Sequence, residues 1–252
     1  MNKTGKIFAG KNIYYYPTVD STNQAMHRLA KEGVPTYSIA LAEEQLEGRG
    51  RLGRSWFSPP GSGLWFSMLI RPMMLTPAGA SPLTLVTAAV MAAHLNDHYN
   101  LPVKVKWPND LLIDGKKAGG ILTELKGDPD RVEYLIVGIG LNVNQQLNDF
   151  PAELDRQSTS LYIASGLKIN RLDLFLSLRD ELLNAYPLFL KEGFTPFRDL
   201  WKENNTTLGQ EVTLNWDGGK LEGKALDLTE TGALLISDKD GQIHIINYGE
   251  IS

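Results

Sequence analysis

The sequence contains no cysteine and no excess of basic charge. Its 252 residues include 25 basic and 29 acidic side chains, which gives a net charge of −4. Without cysteine the chain cannot form a disulfide, a thiolate zinc site or a cysteine nucleophile, and this composition fits a reducing cytoplasm. The acidic balance lacks the overall charge of a nucleic-acid-binding protein, so no DNA partner is expected.

Long apolar runs are also missing. No segment approaches the roughly 20 consecutive apolar residues that are needed to cross a bilayer, so we expect no membrane contact. Hydrophobic residues make up 42% of the chain and charged residues 21%, which is typical of a globular protein. The chain is long enough for one main domain with a small appendage.

The order of apolar patterns along the chain predicts an α+β fold. Apolar residues at helical spacing indicate long helices over 82–99 and 172–190. Val103–Trp107 alternates with period two, Leu111–Ile113 continues as strand, and Asp114-Gly115 predicts a tight hairpin turn. A hairpin inside a β/α pattern favours a mixed β-sheet flanked by helices over a purely parallel sheet.

The chain changes character after residue 206. Four short strand patterns follow, separated by the turn sequences Asp217-Gly218-Gly219, Thr231-Gly232 and Asp240-Gly241. This pattern predicts a small all-β barrel, with one domain over 1–206 and a second over 207–252.

A loop rich in glycine and arginine follows the strand that the sequence predicts over Ser38–Ala42. Residues 48–53 match the G-x-G-x-x-G pattern of dinucleotide-binding folds, but two prolines and a glycine in 54–61 exclude the helix that this site requires. Arg49, Arg51 and Arg54 lie within six residues, and guanidinium groups bind carboxylates and phosphates. We interpret the loop as an anion-binding segment, with a solvated basic loop as the alternative.

A second polar segment, Lys106-Trp107-Pro108-Asn109-Asp110, lies at the end of the strand predicted over Val103–Trp107. Pro108 interrupts the strand ladder, so Asn109 and Asp110 are expected where the chain leaves the strand. A carboxylate there suits Mg²⁺, which binds few carboxylates together with phosphates. Lys117 and the small residues 118–120 come shortly afterwards and would let a ligand lie against the backbone.

Taken together, these segments resemble those of biotin protein ligases. Gly48–Trp56 is similar to the biotin- and adenylate-binding loop of that family. Lys106–Asp110, followed by Lys117–Leu122, is similar to its catalytic segment. Asp20–Asn23 and Gly138–Asn144 also match its pattern, in the expected order. The resemblance covers nearly the whole chain.

The resemblance implies a class II synthetase-like catalytic domain with a small C-terminal SH3-like β-barrel. It implies an ATP-dependent, AMP-forming ligase that uses Mg²⁺ to convert biotin to biotinyl-5′-AMP. The biotin is then transferred to one lysine of a biotin carboxyl carrier domain of a biotin-dependent carboxylase. The family includes monomers and homodimers, and both stay open here. Some members carry an N-terminal DNA-binding helix-turn-helix domain, but the first motif lies at residue 20, so we expect a monofunctional form.

The resemblance also implies which residues bind biotin. Ser21, Thr22 and Gln45 fall at the ureido end of the molecule. The full set implied for biotin is Ser21, Thr22, Gln45, Gly48, Arg49, Gly50, Arg51, Trp56, Lys117, Gly119, Gly120 and Gly138.

The implied catalytic residues are Arg49, Arg51 and Lys117, near the biotin carboxylate and the α-phosphate. The set implied for ATP and the adenylate is Arg51, Arg54, Lys106, Asn109, Asp110, Lys117 and Asn142. Asp110 is the candidate Mg²⁺ ligand, and Ser158–Leu161 resembles a further segment on the adenine side.

Three alternatives remain. A lipoate or octanoate ligase or transferase of the same superfamily would have a purely apolar channel, without the polar groups of Ser21, Thr22 and Gln45. A biotin-responsive regulator would bind DNA in a salt-dependent manner. His94 and His98 are one helical turn apart, but a glutamate and a third ligand are missing, so we interpret them as a polar helix end.

Overall fold

A seven-stranded mixed sheet forms the larger part of the fold. The structure is a computed structural model, and it describes residues 12–154, 156–216 and 219–251. The strands are β1 (Ile13–Val19), β2 (Ile39–Gln45), β3 (Gly63–Ile70), β4 (Val103–Lys106), β5 (Asp110–Ile113), β6 (Lys116–Gly127) and β7 (Val132–Asn142). Their spatial order is β1-β2-β3-β7-β6-β5-β4, with β1 parallel to β2 and the other neighbouring pairs antiparallel. The predicted mixed sheet is confirmed.

Helices pack on both faces of this sheet. They are α1 (Thr22–Lys31), α2 (Pro77–Ala80), α3 (Leu83–Tyr99), α4 (Leu161–Ser165), α5 (Arg171–Glu192) and α6 (Arg198–Asn204), with 3₁₀ turns at Arg51–Gly53, Leu147–Asp149 and Thr195–Phe197. Helix α1 packs on β2, β3 and β7, whereas α3 packs on β4, β5 and β6 and against α5. Successive strand residues point to opposite faces, so Leu69 joins the cluster under α1 while Met68 and Ile70 join the core under α3 and α5.

One helical stretch corrects the expectation about membrane spans. Pro77–Tyr99 is long and apolar enough to cross a bilayer by length and composition. However, 72% of its most apolar window is buried inside the fold. The apolar residues of α3 therefore serve the protein core.

The chain reverses direction where a continuing strand was predicted. Lys106 pairs with Asp110 in an antiparallel hairpin, and the peptide bond between Trp107 and Pro108 in its turn is cis. The sequence pattern gave the strand character on both sides but not their relative direction, because alternation is the same for either direction. The second hairpin is confirmed: Asp114 and Gly115 both have positive φ, as a type I′ turn requires.

The chain after residue 206 forms a second sheet, which is antiparallel and five-stranded. Its strands are β8 (Glu211–Trp216), β9 (Gly219–Leu228), β10 (Leu234–Asp238), β11 (Ile243–Ile246) and β12 (Glu250–Ile251), in the order β11-β10-β9-β8-β12. The four predicted strands are present, and β12 was not predicted. The first predicted turn lies partly outside the described residues, at 217–218. The SH3-like barrel and the domain division at 206/207 stay predictions.

Candidate active site

A cavity of about 730 Å³ lies on the α1 face of the larger sheet. Its floor is formed by Gly120 on β6 and by Gly138 and Gly140 on β7, and Gly120 is the register partner of Gly140. A Cβ atom at Gly140 would lie 2.5 Å from Nε1 of Trp56, and one at Gly138 would overlap the side-chain amide of Asn23. The absence of side chains at these positions therefore lets Trp56 and Asn23 pack directly on the strands.

Most of the predicted site residues line this one cavity. They are Ser21, Thr22, Gln45, Arg49, Gly50, Arg51, Arg54, Trp56, Lys106, Asn109, Asp110, Lys117, Gly120, Gly138 and Asn142. Segments that are far apart in the sequence thus converge at one end of α1 and one end of the sheet.

Gly48 and Gly119 lie outside the cavity lining. A Cβ atom at Gly119 would lie 3.1 Å from Leu141 and 3.2 Å from Leu111, on the core face of the sheet. The alternation of strand residues explains this placement, because the neighbouring Gly120 faces the cavity. A Cβ atom at Gly48 would lie 2.8 Å from the hydroxyl of Ser58, behind the loop. Direct contacts of these two glycines with biotin stay predictions.

The N-terminus of α1 supplies the polar end of the cavity. Ser21 is the N-cap residue, but its hydroxyl makes no cap hydrogen bond. The backbone N–H of Thr22 donates to Oε1 of Gln45 at 2.8 Å, and the hydroxyl of Thr22 lies 3.0 Å from the same oxygen. Nε2 of Gln45 donates to Oγ of Ser58 at 2.8 Å, so both ends of this amide are held.

The opposite end of the cavity is cationic. Arg54 and Lys106 line the cavity together with Arg51 and Lys117, whereas Arg49 lines it next to Gly48, whose Cβ position lies 3.1 Å from Nε2 of Gln45. Nε, Nη and Nζ donors gathered in this way repel one another unless an anion lies among them. Burial lowers the pKa of the Arg51 guanidinium, which fits a charged group that is partly removed from water.

Protein groups hold Lys117 and Arg51 in place. Nζ of Lys117 lies 2.7 Å from Oδ1 of Asp110 and 5.3 Å from the ring centre of Trp56. Nη1 of Arg51 donates to Oδ1 of Asn109 and to the carbonyl of Gly249, each at 3.2 Å. These carboxylate, amide and carbonyl oxygens occupy the donors that an anionic ligand would use.

The smaller sheet contributes residues that sequence reasoning missed. Asn215, Glu250 and Ile251 line the cavity, and Glu250 forms an ion pair with Arg54. No motif marks them, and β12 contains only Glu250 and Ile251, so the local pattern carried no signal. The missed contribution of Asn23 did have a signal, because this residue ends the Asp20–Asn23 motif.

The predicted adenine-side segment lies along the edge of the site. Ser158 lines the cavity, and the backbone N–H of Lys117 donates to the carbonyl of Gln157 at 2.8 Å. The backbone N–H of Thr159 donates in turn to the carbonyl of Lys117 at 2.9 Å. Asn142 donates to the carbonyl of Thr159 at 2.9 Å, so this predicted nucleotide residue also fixes the segment.

The fold bears on the dinucleotide-binding pattern and on the pair of histidines described above. No α-helix follows the Gly48–Gly53 match, because only the 3₁₀ turn Arg51–Gly53 occurs there. The rings of His94 and His98 stack with their centres 4.1 Å apart, and Nε2 of His94 lies 2.9 Å from Oγ of Ser177. Within the described ranges, no group of three or more His, Cys, Asp or Glu residues is placed to hold a metal ion. A metal at Asp110 would therefore need oxygens from a bound ligand.

Comparisons with known proteins agree with this geometry. Residues 15–142 match the model of the biotin/lipoate A/B protein ligase family, and residues 207–252 match that of the biotin protein ligase C-terminal domain. The bifunctional ligase/repressor BirA of Bacillus subtilis is 37% identical over 92% of this chain and 71% of its own length. The biotin–[acetyl-CoA-carboxylase] ligase of Paracoccus denitrificans is 29% identical over 88% of this chain and 93% of its own length. The biotin protein ligase of Aquifex aeolicus, solved with biotin and ATP, aligns with a TM-score of 0.82 and 34% identity over 96% of this chain and 98% of that one.

Proposed function

The chain belongs to the biotin protein ligase family, and from this premise we propose that it joins biotin to ATP and then transfers biotin to a lysine of a biotin carboxyl carrier domain. The first product would be biotinyl-5′-AMP, with release of pyrophosphate. The second reaction would release AMP and leave biotin in an amide bond to the carrier.

One observation carries the proposal. A single cavity is lined by the polar groups of Thr22 and Gln45 and by the cationic groups of Arg49, Arg51 and Lys117. Biotin has the matching form, because a cyclic urea lies at one end of the molecule and a carboxylate at the other. Gly120, Gly138 and Gly140 let Trp56 and Asn23 pack directly on the strands that line this cavity.

The first step requires a carboxylate oxygen to attack the α-phosphorus of ATP. Both groups are anionic, so their repulsion and their alignment are the main obstacles. Arg49, Arg51 and Lys117 would offset the charge of both, as donors that are already oriented before the reaction. The ligand would replace Asp110 as the partner of Lys117 and Gly249 as a partner of Arg51.

The second step requires the neutral amine of the carrier lysine to attack the carbonyl carbon of the mixed anhydride. The bond from that carbon to the phosphate oxygen breaks, and AMP leaves with the electron pair. The adenylate hydrolyses in water, so the site has to exclude water between the two steps. Most residues of the Gly48–Trp56 loop line the cavity, so we propose that this loop excludes the water.

Mg²⁺ is part of the proposal as the partner of ATP. Asp110 is a carboxylate at the cationic end, and Mg²⁺ binds few protein carboxylates together with phosphate oxygens. This donor set fits a metal that is held jointly by Asp110 and the nucleotide. When bound, the ion would offset charge on the phosphates.

We also propose the domain division at 206/207 and a cytoplasmic location. The separate family matches over 15–142 and 207–252 support the division. The absence of cysteine supports a reducing compartment.

Intact-mass spectrometry tests the proposed function. A biotin carboxyl carrier domain is incubated with the protein, Mg-ATP and biotin, and we expect a biotin adduct that disappears when ATP is omitted. A lipoate acceptor domain with lipoate is treated in parallel. An adduct on the lipoate acceptor alone would replace biotin by lipoate as the substrate. No adduct on either acceptor, together with no pyrophosphate release, would contradict the ligase activity.

A further inference from the structure

A chain of polar contacts runs from the outer side of α1 to the polar end of the cavity. We call it the polar chain, and its members in order are Tyr134, His27, Glu124, Asn23, Ser67, Thr22, Gln45 and Ser58. At its middle, Asn23 is 3% exposed and Ser67 is fully buried. Hydrogen bonds this deep in the protein have to be consistent in direction, because each hydroxyl has only one proton to give.

The side-chain amide of Asn23 packs on one row of register partners in the sheet. Ser67, Gly138 and Leu122 are register partners on β3, β7 and β6, and the amide of Asn23 lies on Gly138. Oδ1 of Asn23 is 2.6 Å from Oγ of Ser67, and Nδ2 is 2.7 Å from Oε2 of Glu124. Asn23 therefore connects the two strands that flank β7.

Glu124 determines which way this amide faces. An ionised carboxylate only accepts hydrogen bonds, so the NH₂ group of Asn23 has to face Glu124 and its oxygen has to face Ser67. Nε2 of His27 lies 3.4 Å from the same carboxylate oxygen. Nδ1 of His27 lies 3.2 Å from the hydroxyl of Tyr134, so the two ring nitrogens contact Tyr134 and Glu124.

The orientation of the Asn23 amide then determines the donor and acceptor roles of Ser67 and Thr22 at the cavity. Ser67 has to donate its one proton to the oxygen of Asn23, so it has none left for Thr22. Ser67 lies within hydrogen-bond distance of both Oδ1 of Asn23, at 2.6 Å, and the hydroxyl of Thr22, at 2.7 Å, and once its one proton goes to Asn23 its oxygen can only accept from Thr22. Oε1 of Gln45, 3.0 Å from the hydroxyl of Thr22, is also an acceptor. The proton of Thr22 goes to one or the other, so its hydroxyl can offer only lone pairs to the cavity.

We propose that Glu124 is a positioning residue that makes Thr22 an acceptor for a ligand N–H group. The proposal rests on the proposed function, since the cyclic urea of biotin carries such N–H groups. Glu124 acts through Asn23 and Ser67 and does not line the cavity itself. A head group without N–H, such as the alkyl chain of octanoate, leaves this buried acceptor unpaired and is disfavoured.

The decisive variant is Glu124→Gln in the full-length protein. A glutamine can donate as well as accept, so the amide of Asn23 is free to turn over. Ser67 can then donate to Thr22, and Thr22 can direct its proton into the cavity against the N–H of the ligand. We expect the Kd for biotin and for desthiobiotin, which keeps the cyclic urea, to rise roughly tenfold, the effect of about one lost hydrogen bond.

Two further readouts separate positioning from a general loss of structure. The KM for ATP and the kcat at saturating biotin should stay at the wild-type values in Glu124→Gln, because the altered contact is at the urea end. Glu133→Gln is the matched control, since it removes the same charge from an exposed position on β7. Ser67→Ala keeps the charge of Glu124 and removes only the hydroxyl that links Asn23 to Thr22. It should therefore also weaken the binding of biotin and leave the binding of ATP unchanged.

The outcomes distinguish this proposal from the proposed function. Weaker binding of biotin and desthiobiotin by Glu124→Gln, with unchanged binding of ATP, supports the positioning role of Glu124. If Glu124→Gln does not fold, the same result in Ser67→Ala supports it. An unchanged Kd for biotin overturns the proposal, and so does an equal loss of biotin binding and ATP binding. If the wild-type protein binds no biotin, the proposed function fails first, whatever the variants do.

Discussion

At the scale of single residues, Lys117 is the cation whose loss should cost the most. Its Nζ atom lies at the cationic end of the cavity, 2.7 Å from Asp110. We expect Lys117→Ala to reduce biotin-dependent pyrophosphate release by a factor on the order of 100 or more, which corresponds to about 3 kcal/mol, because one oriented donor to the developing charge is lost. Lys116→Ala is the control, since Lys116 is the exposed neighbour on β6. Near-normal release in Lys117→Ala would contradict its catalytic assignment.

Gly138 tests the geometry of the cavity floor. A methyl group there would overlap the amide of Asn23, and that amide is fixed by Ser67 and Glu124. We expect Gly138→Ala to lower the free energy of unfolding by about 1–3 kcal/mol, as overpacking of a core does. We also expect it to weaken the binding of biotin. The effect of Gly138→Ala should depend on Asn23. In a protein that already carries Asn23→Ala, a urea titration should show a clearly smaller loss in the free energy of unfolding from Gly138→Ala. Additive costs would mean that the two residues do not meet.

At the scale of elements, local patterns predicted most strands and helices but not their partners. The alternation in Val103–Lys106 and the apolar Leu111–Ile113 gave two correct strands, whereas the reversal between them depends on pairing across the sheet. The second sheet was predicted from its turns, but β12 has only two residues and owes its place to pairing with β8. The cavity residues that belong to a motif could be predicted, because a motif is a local pattern in the sequence. Glu250 could not be predicted, because its contact with Arg54 joins positions that are far apart in the chain.

The Gly48–Trp56 loop is fastened by contacts with the smaller sheet. Arg54 pairs with Glu250, and Arg51 donates to the carbonyl of Gly249. We expect Glu250→Gln to release the loop, so that trypsin cleaves at its arginines several-fold faster in the absence of ligand. Biotin with ATP should slow cleavage in both proteins, because the ligand replaces the lost contacts. Equal cleavage rates with and without ligand would show that the loop does not close over the site.

The packing of α3 against α5 should depend on pH through His94. The imidazole is 5% exposed, and burial, with a smaller effect from the stacked His98, lowers its pKa in the folded state. A depressed folded pKa means that stability is fully present above the unfolded value of about 6.5 and is lost as the pH falls below it. We expect urea unfolding to give a lower free energy at about pH 5 than at about pH 7.5, with a smaller difference in His94→Gln. The same pH difference in that variant would assign the loss to other groups.

At the scale of the whole molecule, the two sheets share one core and one site. Residues of the smaller sheet, such as Val212 and Leu228, belong to the same buried cluster as Leu85 and Trp107. Arg198 and Lys202 on α6 both pair with Asp227 on β9, each at 2.9 Å. The sequence predicted two domains from a change in strand pattern, and it could not show that they are joined, because the joining contacts link positions far apart in the chain.

This connection predicts that both sheets unfold together. Trp107 is 2% exposed, its Nε1 donates to the carbonyl of Gly232 at 3.2 Å, and its backbone N–H donates to Thr207 at 3.0 Å. We expect calorimetry to give one transition whose calorimetric and van't Hoff enthalpies agree, although the chain is longer than most two-state proteins. Trp107→Ala should lower the free energy of unfolding by about 3–5 kcal/mol and separate the two transitions, because it removes a large buried side chain where the sheets meet. Trp216→Ala, at a half-buried position on β8, should keep a single transition. Two resolved transitions in the wild-type protein would mean that the sheets are thermodynamically independent despite these contacts.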